Sequence, residues 1–163
     1  MNTGQMLLTM GALLLLSTMI LRFNRSVLTS DEVMYNSKFN VLASSLCTSL
    51  IEEARGKAFD QNSDTASVST TNQLSDTLGP ELGETYDTYN DFDDFNGFVK
   101  VDSTMPSAIF YATAKVVYIT TSSNSVNVSA NRTWNKMITV TIMSSSMKDP
   151  ITMSSTYSYW FFR

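Results

Sequence analysis

Histidine is missing from this chain altogether, and cysteine occurs once, at Cys47. Without histidine, the commonest general base and the commonest transition-metal ligand are both absent. A single cysteine excludes a disulfide within the chain, so an exported form must draw its stability from packing or assembly. Charge is also scarce. Asp, Glu, Lys and Arg make up 16 % of the residues, against a usual share of about a quarter. The formal net charge of −4 argues against nucleic-acid binding, which needs a basic face to displace counterions. The 163 residues suffice for one modest domain and an extra helix, not for two full cores.

Hydrophobic residues reach 43 % but are unevenly placed. From Met6 to Leu21 the chain reads MLLTMGALLLLSTMIL, without charge or proline. Its large apolar members are Met6, Leu7, Leu8, Met10, Leu13, Leu14, Leu15, Leu16, Met19, Ile20 and Leu21. This is the short limit for a membrane-crossing helix, about 17–25 residues. A cleaved secretory signal needs a basic stretch ahead of the block and a small-x-small site behind it; neither pattern is found. The block therefore suits lipid or a bundle of helices, where the small residues Gly11, Ala12 and Ser17 favour close contact.

The pattern stays helical beyond Arg25. Thr29-Ser30-Asp31-Glu32 has the form of a capping box, and Asn24, Ser26 and Thr29 are weak helix formers. Together they predict a break or bend near residues 24–30. Tyr35, Phe39, Leu42, Leu46 and Leu50 then recur every three or four residues, with Val41, Ala43 and Ala54 beside them. A stop is expected near Lys57, at Gly56. Cys47 sits inside this pattern and reads as a small buried residue. The expected division is an apolar helix over 1–25 and an amphipathic one over 26–60.

Two further sequence features point to a family. Gly4-Gln5 precedes the apolar run, and Leu42-Ala43-Ser44-Ser45-Leu46 leads into Leu50-Ile51-Glu52-Glu53-Ala54-Arg55-Gly56-Lys57-Ala58-Phe59-Asp60. Over about residues 4–60 the chain resembles the type IV pilin and pseudopilin superfamily. The glycine echoes the one at which prepilin peptidases cut, which makes Gly4 and Gln5 the implied processing site. The second string is similar to the end of the long helix in some minor pilins. Thr9 stands where major pilins carry a glutamate that neutralises a neighbour's N-terminal amine. Met1, Asn2 and Thr3 are therefore expected at a polar boundary, with no neighbouring acid on the Met1 amine. Arg22 and Arg25 follow the apolar block, which by the positive-inside tendency would put the C-terminal side in the cytoplasm. The resemblance implies the opposite orientation, and the exported-looking remainder agrees with it.

Residues 61–79 are polar and without period, which predicts a surface loop. In Asp87-Thr88-Tyr89-Asn90-Asp91-Phe92-Asp93-Asp94-Phe95-Asn96-Gly97 acids and aromatics alternate. The favoured reading of 61–97 is a loop ending in a structured turn. In it carboxylates cap backbone amides, Tyr89, Phe92 and Phe95 pack on the helix, and Asn-Gly turns the chain. Asp91, Asp93 and Asp94 are also oxygen ligands that suit Ca²⁺, but the spacing is not that of an EF-hand loop. No other cofactor is implied. The same carboxylates lack the surrounding constellation that glycoside hydrolysis would need, and no catalytic residue is assigned.

From Phe98 the period becomes two. Strands are predicted at 98–101, 109–120, 125–128, 136–143 and 152–162. Phe110, Ala112, Ala114, Val116 and Tyr118 share one face, as do Ile138, Val140 and Ile142, and as do Met153, Ser155, Tyr157, Tyr159 and Phe161. The aromatic end of the chain has more rings than one strand face can hold, so part of it is a candidate subunit contact. Asn127-Val128-Ser129 and Asn131-Arg132-Thr133 match the short N-glycosylation pattern and read as turns. The predicted class is α+β, with an antiparallel head over 98–163 covered by the amphipathic helix. The expected function is structural, not enzymatic: a subunit of an extracellular, cell-surface, pilus-like filament, many copies joined through the apolar helix. The resemblance implies an inner-membrane stage before assembly and an assembly machinery as partner. The alternative is a minor pseudopilin or a single-pass anchored part of a secretion or adhesion machine.

Overall fold

The computed structural model describes residues 2–64 and 66–162, without the side chains of Phe161 and Phe162. The Met1 amine and the Phe161 side chain, on which two of the expectations above rest, lie outside the described residues. The chain divides into two compact units, residues 1–39 and 40–163.

The first unit is helical. It belongs to α1, a single α-helix spanning Thr3–Arg55. The expected break at residues 24–30 is not present. Thr29 donates its hydroxyl to the carbonyl of Arg25 at 2.9 Å, the reverse of a capping threonine, which would accept from an N–H. Thr9 and Thr18 likewise donate back to Met6 and Leu15, each at 2.9 Å. Such internal bonds let Ser and Thr sit inside a helix. The propensity deficit of Asn24, Ser26 and Thr29 is below about 0.7 kcal/mol each, which does not repay breaking one helix and nucleating another.

The second unit, residues 40–163, is α+β. α1 ends at Arg55, where Gly56 donates to the Glu52 carbonyl at 3.0 Å and Lys57 to that of Ala54 at 3.2 Å. The last turn tightens, and Gly56 is not among the glycines with positive φ. The buried stripe of this part of α1 is Ala43, Cys47, Leu50, Ile51 and Ala54, whereas Leu42 and Leu46 are only half-buried and Val41 is exposed. Three of the five buried residues are small, so the helix backbone can come close to the sheet. The Cys47 thiol reaches within 3.9 Å of the Val140 carbonyl and 3.8 Å of that of Ile151.

The strands are β1 (Val99–Asp102), β2 (Phe110–Ser122), β3 (Ser125–Val128), β4 (Asn135–Met143) and β5 (Ile151–Ser158). All pairings are antiparallel, in the order β1-β2-β4-β5, with β3 hairpinned onto the far end of β2. Ala114 lies opposite Val140, and Val116 opposite Ile138. These residues are buried with Phe110, Ile142 and Tyr157, so the face expected for β2 and β4 is the core face. β5 keeps only Tyr157 buried. It is an edge strand, leaving Met153 exposed, and it ends at Ser158, where Tyr159–Phe162 turns into a 3₁₀ helix and breaks the alternation. The segment between α1 and β1 is folded rather than open. It contains a short helix α2 (Gln61–Asp64) and 3₁₀ turns at Thr71–Gln73, Tyr86–Thr88 and Asp93–Phe95. The turn at Asn96-Gly97 has Gly97 at φ +81°, a left-handed conformation natural to glycine. A long apolar N-terminal helix and an antiparallel sheet make up a pilin-like architecture.

Candidate functional site

The apolar block of α1 is exposed among the described residues. Its eleven large side chains, from Met6 to Leu21, are each between 52 and 76 % exposed. The helix is long and apolar enough to cross a membrane. Gly4 and Gln5 lie in its first turn, with the Gln5 amide bonded to the Asn2 carbonyl at 2.9 Å. A Cβ at Gly4 or Gly11 would meet nothing within 4 Å, so both leave room for another helix to approach.

The second site is internal. The acidic segment folds back beside the end of α1: the Ala58 amide donates to the Asn90 carbonyl at 3.2 Å, and the Phe92 amide to that of Ala58 at 2.9 Å. Asp91 Oδ1 accepts from the amides of Asp93 (2.8 Å) and Asp94 (3.3 Å). Asp94 Oδ2 accepts from those of Asn90 (2.9 Å) and Asp91 (3.0 Å). These are the backbone-capping carboxylates expected from the sequence. Phe92 and Phe95 are fully buried beside them, Phe92 with its ring edge against Tyr157. Asp93 differs, because its carboxyl turns inward to Lys136.

Lys136 is the residue that sequence reasoning passed over. It is completely buried on β4, and its ammonium group bonds the Phe59 carbonyl at 2.8 Å, Asp60 Oδ2 at 2.9 Å and Asp93 Oδ1. Three acceptors match its three donors. The nitrogen also lies 4.6 Å from the ring centre of Phe59 and 5.3 Å from that of Tyr118, within cation–π range. Parity along β4 held the signal, since Lys136 falls on the same face as Ile138, Val140 and Ile142.

The carboxylates around this lysine are in different states. Burial pushes Asp60 up, but Lys136 and the surrounding donors outweigh it and hold its carboxyl below the ordinary value. Those donors are Ser75 N at 2.9 Å, Ser75 Oγ at 3.1 Å and Asn62 N at 3.1 Å. Burial pushes Asp93 up, against the pull of Lys136. Burial, with the neighbouring Asp93 carboxyl, pushes Asp91 up to about 8. Asp91 thus favours its protonated form, and among the described residues its Oδ2 has no hydrogen-bond partner other than the Asp93 carboxyl beside it. Tyr118 donates to the Ser75 carbonyl at 2.8 Å and is raised by burial and by Asp60.

Asp91, Asp93 and Asp94 are therefore brought together in the chain but serve three different partners. Among the described residues, the carboxylates that converge are Glu81, Glu84 and Asp94, whose oxygens lie within 4.8 Å of one another. Oxygen-only groupings of this kind suit hard cations. Glu81 is pushed up to about 7 by burial and by Glu84. The spacing of Glu81 and Glu84 holds no hint of this convergence with Asp94. Compared with protein-family models, curated proteins and solved structures, the chain matches none of them.

Proposed function

We propose that this chain is the structural subunit of an extracellular, pilus-like helical filament, held in a membrane by α1 before assembly and polymerised through α1 afterwards. The observation that carries this reading is the uncovered apolar face between Met6 and Leu21. Burying eleven such side chains at about 1.5–3 kcal/mol each would contribute roughly 17–33 kcal/mol, far more than lone exposed residues ever require. Lipid provides that burial before assembly and neighbouring copies after it. Gly11, Ala12 and Ser17 keep the helix narrow where copies would meet. The head, with its closed core, carries no assigned catalytic group and supplies the outer surface. Partners on this reading are further copies, the membrane and an assembly machinery.

The test has two arms. Material sheared from cells expressing the full chain should contain filaments by electron microscopy, with this chain as the main band by mass spectrometry. Deleting residues 1–25 should give a soluble, folded, monomeric head. Filaments formed by the truncated chain, or a full-length chain that stays monomeric in its membrane and in sheared material, would overturn the reading.

A further inference from the structure

Lys136, Asp93, Asp91 and Asp60 form a buried cluster, all four side chains at or below about one per cent exposure. Their environments are unequal. Asp60 is held by three N–H and O–H donors from Ser75 and Asn62 besides Lys136. Asp93 has none of these: among the described residues its carboxyl meets only the Lys136 nitrogen and the Asp91 carboxyl. The Asp91 oxygen turned away from its two backbone amides is otherwise unpartnered. Phe59 and Tyr118 wall the nitrogen with their rings. A nucleophile, an acyl group and a proton donor are thus held side by side in a buried site.

We propose that Lys136 and Asp93 join in an intramolecular isopeptide bond, with Asp91 as the assisting acid and Asp60 as the assisting base. The Lys136 ammonium passes one proton to the Asp93 carboxylate, and the resulting amine attacks Cγ of Asp93, forming the C–N bond. Asp91 hydrogen-bonds the carboxyl oxygen as negative charge develops there. Asp60 takes a second proton from the nitrogen. The hydroxyl on Cγ leaves with the Asp91 proton as water, and the proton on Asp60 makes good the one that Asp91 gave. Three ammonium hydrogens become one amide N–H and two in water, with no oxidant, reductant or added reactant. Two features drive the reaction. Fixed contact replaces a bimolecular encounter, an advantage of about 10⁵–10⁸ M in effective concentration. Condensation also removes two opposite charges from a site where each is costly to keep. The product N–H still has the Phe59 carbonyl and Asp60 as acceptors. The bond staples the segment before β1 to β4 across 43 residues, in a chain whose single cysteine allows no disulfide.

The experiment is peptide mass spectrometry of the full chain purified in detergent. Trypsin should release residues 58–100 linked to residues 133–148, one water lighter than the two peptides together and uncut after Lys136. Fragmentation should place the link between Asp93 and Lys136. Wild-type protein that yields residues 58–100 free, with cleavage after Lys136, overturns the proposal. Asp93→Ala should abolish the linked pair. Asp91→Asn keeps both reacting groups and should slow linkage more than tenfold in freshly folded protein. Linkage at the wild-type rate in Asp91→Asn would overturn the role given to Asp91.

Discussion

In protein whose Lys136 is still a free ammonium, replacing Asp60 by asparagine changes one oxygen for an NH₂ group and almost nothing in shape, so its cost there reports the contacts of that carboxylate. One oxygen faces Asn62 N at 3.1 Å and Ser75 Oγ at 3.1 Å. The other faces Ser75 N at 2.9 Å, Tyr118 OH at 3.4 Å and the Lys136 nitrogen at 2.9 Å. Every neighbour is a donor. Whichever way the amide turns, its NH₂ meets a donor, so at least one charge-assisted bond of about 1.5–3 kcal/mol is lost and a buried donor is left unmade at about 1–3 kcal/mol. The expected loss is roughly 3–5 kcal/mol, within the range for breaking a buried charged pair. For a head of this size that lowers Tm by about 10–20 °C. Chemical and thermal unfolding, followed by the fluorescence of Trp134 stacked on Tyr159, would measure it. The pH dependence adds a second check. Because Asp60's carboxyl is held below its ordinary value, its contribution is present above the unfolded pKa of about 4 and is lost as pH falls through the folded one. The gap between wild type and Asp60→Asn should therefore narrow in acid. A loss under about 1 kcal/mol at neutral pH, on the scale of an exposed pair, would refute the reasoning.

Three further outcomes are expected. Asp91 is raised to about 8, so its contribution is complete below the unfolded pKa of about 4 and fades as pH climbs to and past about 8; wild-type Tm should fall over that range, and Asp91→Asn should flatten the fall. Chelator and added Ca²⁺ should move Tm by less than about 2 °C, a shift small on the scale of 1 kcal/mol, because Asp91 and Asp94 are already occupied by backbone amides and Asp93 by Lys136; a larger shift would assign a cation to Glu81, Glu84 and Asp94. Thr29→Ala should raise the micelle-bound helicity of a residue 3–39 peptide slightly, by up to about 0.7 kcal/mol in propensity, whereas a capping threonine would show a loss of about 1 kcal/mol on the same change.

How much of this molecule could be read from its sequence depended on the range of the interactions. The strands were legible because alternation is local: Ile138, Val140 and Ile142 point one way whatever they pack against. The capping of the acidic turn was legible for the same reason, each carboxylate reaching an amide two to four residues away. The helix was legible as a helix, but its continuity was not. Thr29 followed three residues later by Glu32 looks alike at a helix start and in a helix interior, and only the direction of the hydroxyl's hydrogen bond separates the two. The buried stripe of α1 was legible in part: Phe39, Ala43, Cys47, Leu50 and Ala54 are buried as expected, whereas Leu42 and Leu46 are half-buried and Tyr35 and Val41 exposed. Contact with the sheet favours Ala43, Cys47 and Ala54, whose size admits the backbone.

The Lys136 cluster was not legible, because its partners lie 43 and 76 residues away and no local pattern ties them together. Parity nevertheless set a constraint. A lysine on the inward face of a strand must find acceptors or stay unburied, because an unpaired buried charge is too costly. The acceptors had to come from segments that cross that end of the sheet, and the acid-rich turn before β1 and the end of α1 are the segments that do so. Asp93 and Asp60 therefore do more than neutralise a charge. They fix which loops lie over β4, and so hold the helix end, the acidic turn and the sheet of the head in one register.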